Sequence, residues 1–378
     1  MKQHKTFDIN GVRHSSFKIT KQQISNLKRS WKVHVDCHIP EYPGKFRGRG
    51  IVICAGGMKY FTCAWISIHL LRKNGCILPI ELWYKDGELN NEVIIELQKL
   101  NVRCMLASSG SNPSLIQDYA IKPFAIINSS FEEVLFLDAD NNCLVDPTFL
   151  FDHDTYRLTG AIFWPDFWKT DPKNAIWAIT EAKDYLEYEQ ESGQILINKK
   201  RCWSALNLCM YFNHHKDPYY KLLLGDKDTF KFAWKSTKTP YTMIDTAVAF
   251  CGYSNTSHPL FNKGVAMCQH DFNGKIIFIH QNLAKWDAIE SDEFLWSKVK
   301  SFLVSGGNRL HIQQAVVLPN GTQKLAFDID GDVLLKECDS TIIEKEKFCH
   351  AELSRLRKSD MYLRYILFLY ITRSRGEY

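Results

Sequence analysis

Glu132-Glu133-Val134-Leu135-Phe136-Leu137-Asp138-Ala139-Asp140 is the stretch on which the fold turns. A short apolar run bounded by charge reads as a strand buried on both faces of a parallel sheet. Side chains alternate along a strand, so Asp138 and Asp140 are expected on one face at its C-terminal edge. Ligands of open α/β sheets bind at that edge. Two hard oxygen donors there suit Mn²⁺ or Mg²⁺ carrying a diphosphate. An acidic strand end without metal is the competing reading, because Asp-x-Asp alone is a common pattern.

Working outward, Ile51-Val52-Ile53-Cys54 reads as a strand closed by Gly56-Gly57. Phe61, Ala64, Trp65, Ile68 and Leu71 then recur at helical spacing, which predicts a helix from about Tyr60 to Lys73. Strands are expected at Pro79 to Tyr84 and Val102 to Leu106, and helices at Asn90 to Leu100 and Gln117 to Ser129. Strand and helix thus alternate from Ile51 to Asp140, the pattern of a doubly wound α/β sheet. Further strands are expected at Gly160 to Pro165, Gly193 to Asn198 and Lys275 to His280. Cys202 to His214, Asp217 to Leu224 and Asp228 to Trp234 read as helices. Gln313 to Asp339 alternates strands with the turn signals Asn320-Gly321 and Asp330-Gly331, and a charged helix is expected from about Thr341 to Lys358. The residues before about Arg49 read as mixed helix and coil. Three segments are expected: an extension over 1–48, a catalytic domain over 49–300, and a β-hairpin and helical extension over 301–378.

The chain has 378 residues, 45% hydrophobic, 24% charged, with net charge +5. Such a balance argues against a dedicated nucleic-acid binder and is compatible with an anionic ligand. Twelve cysteines contain no C-x-x-C pair, which excludes zinc-ribbon spacing. Cys54, Cys63, Cys209 and Cys251 sit in apolar stretches and read as reduced thiols, with disulfides elsewhere left open. Met1-Lys2-Gln3-His4-Lys5 has no apolar run behind it, so no secretory signal is expected and a cytoplasmic or membrane-peripheral location is implied. Met361 to Thr372 is too short to span a bilayer and is interrupted by Arg364. With Arg373 and Arg375 after it, this tail reads either as a packed terminal helix or as a peripheral membrane contact.

Several other clusters could carry chemistry. Gly56-Gly57 after a buried strand allows close backbone approach to a ligand, with Lys45, Arg47 and Arg49 upstream as positive charge, although a plain strand-to-helix turn fits equally. His280 ends an apolar strand and could complete a carboxylate metal site, or be structural. Glu191-Ser192-Gly193-Gln194 and Gly225-Asp226-Lys227-Asp228 are polar clusters against apolar segments, readable as solvated turns or as the lining of a sugar pocket.

These clusters, in this order, resemble the fungal α-1,3-mannosyltransferase (Mnn1-like) family and, more distantly, the glycogenin-like transferases. The resemblance runs from about Gly48 to Trp286. It is carried by Gly48-Arg49-Gly50-Ile51-Val52-Ile53-Cys54-Ala55-Gly56-Gly57, Tyr119-Ala120-Ile121-Lys122-Pro123-Phe124-Ala125, and the stretch from Ser129 to Pro147. Glu191 to Ile197, Gly225 to Phe230 and Phe278 to Trp286 complete it. The resemblance implies a GT-A fold, in which a Rossmann-like nucleotide-binding half is fused to an acceptor-binding half, with C-terminal β and helical additions. It further implies a divalent cation, a GDP-mannose donor, a glycan or glycoprotein acceptor, retention of configuration and a Golgi location.

Carried over residue by residue, Asp138, Asp140 and His280 look like the metal ligands, Asp138 also facing ribose. Ala55, Gly56, Gly57 and Tyr60 look like the nucleotide wall. Lys122 looks like a sugar or diphosphate contact and Lys285 like a diphosphate clamp. Gln194, Asp226 and Lys227 look like the groups around the transferred sugar. One departure stands out: the glycogenin-like His-x-x-Gly-x-x-Lys pattern lacks its glycine here, and Lys285 comes one residue early.

The implied chemistry is stabilisation of a diphosphate leaving group by metal and lysine charge. Asp226 is the nearest carboxylate for a covalent intermediate, and same-face attack by the acceptor is the favoured course. Alternatives on the same residues are a glucosyl- or galactosyltransferase using a UDP-sugar, a silent nucleotide-sugar-binding module, and a nucleotidyltransferase. Ala55-Gly56-Gly57-Met58-Lys59 fits the last only in part, for want of a glycine-rich basic loop.

Overall fold

A computed structural model describes residues 5–108, 116–255, 258–289, 294–317 and 323–374. The chain divides into two compact units, each assembled from three segments: Met1–Val52, Ser108–Phe136 and Leu150–Asp245 in the first, and Ile53–Ala107, Leu137–Phe149 and Thr246–Tyr378 in the second.

In the first unit, the strand Ala161–Pro165 pairs antiparallel with Gln190–Asn198 and parallel with Thr242–Met243. Gln190–Asn198 neighbours Glu133–Asp138, which in turn neighbours Arg49–Cys54. Val134, Leu135 and Phe136 are fully buried, as an interior strand requires. Helices Trp203–His214 and Lys227–Thr237 pack on one another through Cys209, Thr229 and Asn213, whose amide donates to Thr229 Oγ1 over 2.8 Å. Helix Lys21–Cys37 opens with a reciprocal capping box between Thr20 and Gln23.

The expectation of only helix and coil before Arg49 is corrected. Lys5–Phe7 and Val12–Ser15 form an antiparallel pair, and Val12–Ser15 also pairs with Lys169–Thr170. The signal was hidden because Arg13, a charged residue, is the one buried: its guanidinium donates to Glu189 at 2.6 Å and to the Leu222 carbonyl at 2.9 Å.

In the second unit, Ile80–Tyr84 and Val102–Leu106 pair in parallel, in register from Ile80 with Val102 to Tyr84 with Leu106. Helix Gly57–Lys73 starts three residues before Tyr60, with Gly56 as its N-cap, and Asn90 caps Asn91–Gln98 through its side chain. Parallel strands joined by helices meet the α/β expectation. Linear reading did not foresee a second, six-stranded sheet. Its order is Val333–Glu337, Lys298–Phe302, Ala249–Asn255, His258–His270, Ile276–His280 and Asn141–Cys143, every neighbour antiparallel. Arg309–Val317 and Gln323–Gly331 pair antiparallel as a separate two-stranded sheet, and the turn expected at Asn320-Gly321 lies outside the described residues.

Two helices end the chain, Ser340–Arg357 and Asp360–Ser374. The second packs within its unit through Met361, Tyr362, Tyr365 and Leu369, while Leu363, Leu367 and Tyr370 are exposed. Tyr362 shares a 2.7 Å hydrogen bond with Thr62 Oγ1, Tyr365 donates to the Glu88 carbonyl at 2.8 Å, and Arg364 pairs with Glu92. Among the described residues no helix is long and apolar enough to cross a membrane. All twelve cysteines are unbridged, and burial pushes the Cys63 thiol up to about 11, where it is inert as a nucleophile.

Candidate functional site

The acidic strand ends at Asp138, and the chain turns at Ala139-Asp140. Asp140 is therefore placed not by strand alternation, as the pattern predicts, but by the short strand after it. Asn141–Cys143 joins the second sheet, antiparallel to Ile276–His280, with Asn141 opposite His280. That pairing brings His280 Nε2 to 3.1 Å from Asp140 Oδ1 and 3.9 Å from Asp138 Oδ2. Ligand atoms of the three residues lie within 4.8 Å of one another, a spacing one cation can bridge. Two carboxylates and an imidazole suit Mn²⁺, and Mg²⁺ less well, since nitrogen is a poor ligand for the harder ion. Lys285 forms an ion pair with Asp140 Oδ2, so a cationic group already faces this carboxylate.

The turn is held from beneath by Asn142. Its amide nitrogen donates to the Ile279 carbonyl at 3.2 Å, the Asp140 carbonyl at 3.3 Å and Gln281 Oε1 at 3.0 Å. Its oxygen accepts from Trp286 Nε1 at 3.1 Å. Ser67 donates to the Ala139 carbonyl at 3.0 Å, and the Gln281 N–H to the Asp140 carbonyl at 2.9 Å. Sequence reading missed Asn142, Ser67 and Gln281. The signal available was an amide directly after the acidic pair, in a position where apolar packing would otherwise be expected.

The residues expected to form a nucleotide wall lie in the same unit. The Ala55 N–H donates to the Trp83 carbonyl at 3.0 Å. Gly56 has a packing reason to be glycine, because a Cβ there would sit 2.2 Å from Glu88 Oε2. Gly57 has φ +65° and donates its N–H to the Glu88 carbonyl at 3.2 Å. Burial raises the Glu88 carboxyl above its ordinary range. The Tyr60 ring is exposed, with Lys285 Nζ 5.7 Å from its centroid.

The remaining site residues fall in the first unit, in three groups. Lys122 Nζ lies 3.3 Å from Asp226 Oδ2 and 3.4 Å from Ser192 Oγ, and Ser192 Oγ lies 3.3 Å from the same carboxylate oxygen. Gln194 donates through Nε2 to Glu191 Oε2 at 2.8 Å. Lys227 belongs to a buried ionic network: it pairs with Asp166, lies 2.6 Å from Glu189 Oε2 and 3.5 Å from Asp228 Oδ2. Arg13 and Lys231 supply the other positive charges, 2.6 Å from Glu189 and 3.2 Å from Asp228. Burial opposes ionisation of Glu189, yet Arg13 and Lys227 hold its carboxyl far below the usual carboxylate range. For Asp166, burial outweighs Lys227 and raises the carboxyl.

Comparisons with known proteins agree on the family. A family model for mannosyltransferases, Mannosyl_trans3, matches residues 48–189 and 178–271. α-1,2-Mannosyltransferase MNN5 of Saccharomyces cerevisiae is 28% identical over 298 residues, 62% of this chain and 50% of that protein. α-1,2-Mannosyltransferase MNN24 of Candida albicans is 28% identical over 60% of this chain and 40% of that protein. The chain thus spans about half the length of the curated relatives it matches. These relatives carry α-1,2 names, which leaves the α-1,3, Mnn1-like expectation without support among them. Among solved structures, the glycosyltransferase GlyE of Streptococcus pneumoniae shares 18% identity at a TM-score of 0.37, over 52% of this chain and 46% of its own. The galactosyltransferase LgtC shares 16% at 0.37, over 51% and 72%. Likeness at that level does not by itself fix a fold.

Proposed function

The chain belongs to the mannosyltransferase family described by Mannosyl_trans3, and from that membership we propose that it is a metal-dependent retaining α-mannosyltransferase moving mannose from GDP-mannose to a glycan hydroxyl. The α-1,2 names of the relatives make an α-1,2 linkage the one to test first. The observation that carries the chemistry is the Asp138, Asp140 and His280 cluster. These three residues would hold Mn²⁺, which supplies positive charge to the departing diphosphate. Lys285, on the same carboxylate, adds charge that the leaving group needs. Parallel strands alternating with helices, and the acidic pair at the end of one strand, support a GT-A reading of the fold.

In this reading, Ala55, Gly56, Gly57 and Tyr60 contact the nucleotide, while Lys122, Gln194 and Asp226 serve the transferred sugar. Asp226 is engaged by Lys122 and Ser192, which favours a hydrogen-bonding role over attack on carbon. Lys227 keeps a smaller part than its sequence position suggests, since its charge is spent on three buried carboxylates. A Golgi location accompanies this proposal as an expectation from the family. The test is a donor panel of GDP-mannose, UDP-glucose and UDP-galactose with Mn²⁺. GDP release from GDP-mannose alone supports the reading, and turnover of a UDP-sugar alone would replace mannose with glucose or galactose.

A further inference from the structure

The ring of His14 lies between two carboxylates. Nδ1 is 2.7 Å from Asp171 Oδ2 and Nε2 is 2.9 Å from Asp8 Oδ2. A neutral imidazole has one donor and one acceptor nitrogen, so it would set a lone pair against one of two ionised oxygens. The imidazolium donates at both nitrogens and fits the pair. Asp171 first and Asp8 second hold His14 above its ordinary value of 6.5, with partial burial opposing them. Both carboxyls lie below their ordinary value. Burial opposes their ionisation, and it is outweighed by the backbone N–H of Val12 for Asp8 or of Lys173 for Asp171, together with His14.

The three residues join separate pieces of the first unit. Asp8 and His14 belong to the N-terminal hairpin, in which Thr6 stands opposite His14. Asp171 follows the strand Lys169–Thr170, which takes two parallel pairs from the hairpin, Val12 with Lys169 and Arg13 with Thr170. Asp8 Oδ1 accepts the N–H groups of Asn10 and Val12, each at 2.9 Å, and Asp171 Oδ1 accepts that of Lys173 at 2.8 Å. Each carboxylate thus gives one oxygen to its own turn and the other to His14. Among the charged groups on the surrounding elements, Arg13 is buried on Glu189 and Lys173 stands beside Asp171. Helix Lys216–Leu222 receives Ser15 Oγ at the Lys221 carbonyl over 2.9 Å, and it carries Lys216, Asp217 and Lys221, the last two paired at 2.8 Å. Ser15, Phe17 and Lys18 after His14, and Pro172, Lys173 and Asn174 after Asp171, line a cleft of about 920 Å³.

We propose that His14 is a proton-operated clasp: protonated, it ties the N-terminal hairpin to the Asp171 turn at the head of this cleft, and on losing its proton it lets the hairpin loosen. The inference is independent of mannosyl transfer. Opening the clasp exposes a histidine of ordinary acidity and so releases a proton. The clasp's contribution is therefore full below about pH 6.5 and is lost as pH rises through the higher value of the closed state. All three side chains are partly exposed, and ion pairs so placed contribute little to global stability. The effect is confined to the hairpin, with Arg13, buried on Glu189, remaining as its inner anchor.

The test uses the whole chain from about pH 5.5 to about pH 9, a range that brackets the histidine titration. The His14 ring is followed by NMR, and the amides of residues 5–15 by hydrogen exchange corrected for the intrinsic rate at each pH. Wild type is expected to show a His14 midpoint above 6.5. Its hairpin protection is expected to fall several-fold with rising pH, at most about tenfold per pH unit because one proton is released. Helix Trp203–His214 is expected to keep its protection throughout. Asp171→Asn keeps an oxygen for the Lys173 N–H but turns a donor toward His14, so the midpoint is expected to fall toward 6.5. His14→Gln is expected to give weaker hairpin protection that no longer varies with pH. A wild-type midpoint at or below 6.5, or the same pH dependence of protection in wild type and His14→Gln, overturns the proposal. Loss of protection in Trp203–His214 together with the hairpin also overturns it, since the change would then be global.

Discussion

Asn142→Ala is the sharpest probe of how the acidic turn is built. The side chain is fully buried and spans two segments, Asp140 on its own side and Ile279, Gln281 and Trp286 on the other. Removing it takes the donor from Gln281 Oε1 and the acceptor from Trp286 Nε1, both on side chains that are fully buried. Each buried group left without its partner costs about 1–3 kcal/mol, so the change is expected to destabilise the protein by about 3 kcal/mol. The Asp140 carbonyl keeps the Gln281 N–H, so the turn survives but loosens. Groups that orient metal ligands from behind typically carry about 10- to 100-fold of metal affinity. The assay pairs a thermal midpoint, expected to drop by about 5 °C, with Mn²⁺ titration by calorimetry, expected to weaken about tenfold. A variant with an unchanged midpoint and unchanged Mn²⁺ affinity would refute the claim that Asn142 holds the site.

Three further outcomes are expected. Lys227→Met leaves Asp166, Glu189 and Asp228 facing only Arg13 and Lys231, and breaking such a buried set should cost about 3–5 kcal/mol of stability. Denaturation would read it, and a loss of turnover without a loss of stability would restore Lys227 to the sugar site. His270 is pushed down to about 4 by burial, against the opposing pull of Asp271. Its folded pKa lies below the unfolded value of about 6.5, so the unfolded chain binds the extra proton between those values. Stability is therefore present above about pH 6.5 and is lost as pH falls toward 4, by at most about 3 kcal/mol. His270→Gln should flatten that slope in midpoints measured from pH 7 to 4, and an unchanged slope counts against it. Deleting residues 360–374 uncovers Phe61 and Thr62 and removes four buried apolar side chains, Met361, Tyr362, Tyr365 and Leu369. Their burial amounts to about 6 kcal/mol, so the shortened chain should melt well below the full one, and equal midpoints would contradict the packing described.

Elements whose signal is local were legible in the sequence. The strands at Val102–Leu106 and Ile276–His280 and the helices at Trp203–His214 and Ser340–Arg357 fall within a residue or two of where apolar periodicity puts them. Long-range pairing was not legible. Nothing in the composition of Asn141-Asn142-Cys143 announces a strand, because its partner arrives more than a hundred residues later. Asp138, Asp140 and His280 were each visible as residues, yet the reason they meet is that pairing and not the alternation expected of one strand. Buried ion pairs were not legible either. Lys227 reads in the sequence as a group around the transferred sugar, and the structure sets it in a buried ionic network, 2.6 Å from Glu189 beside Arg13. The register jump between Glu191 and Leu196 was likewise not legible, since it exists only in the pairing with Ala161–Pro165.

In the proposed function, Asp138, Asp140 and His280 hold a metal ion that assists mannosyl transfer. Mn²⁺-dependent release of GDP from GDP-mannose, wild type against Asp140→Ala, tests it most directly. Wild type is expected to release GDP in a way that chelation abolishes and Mn²⁺ restores, and Asp140→Ala to lose at least about 10²-fold. Equal release by the two proteins, or release indifferent to chelation, would contradict it.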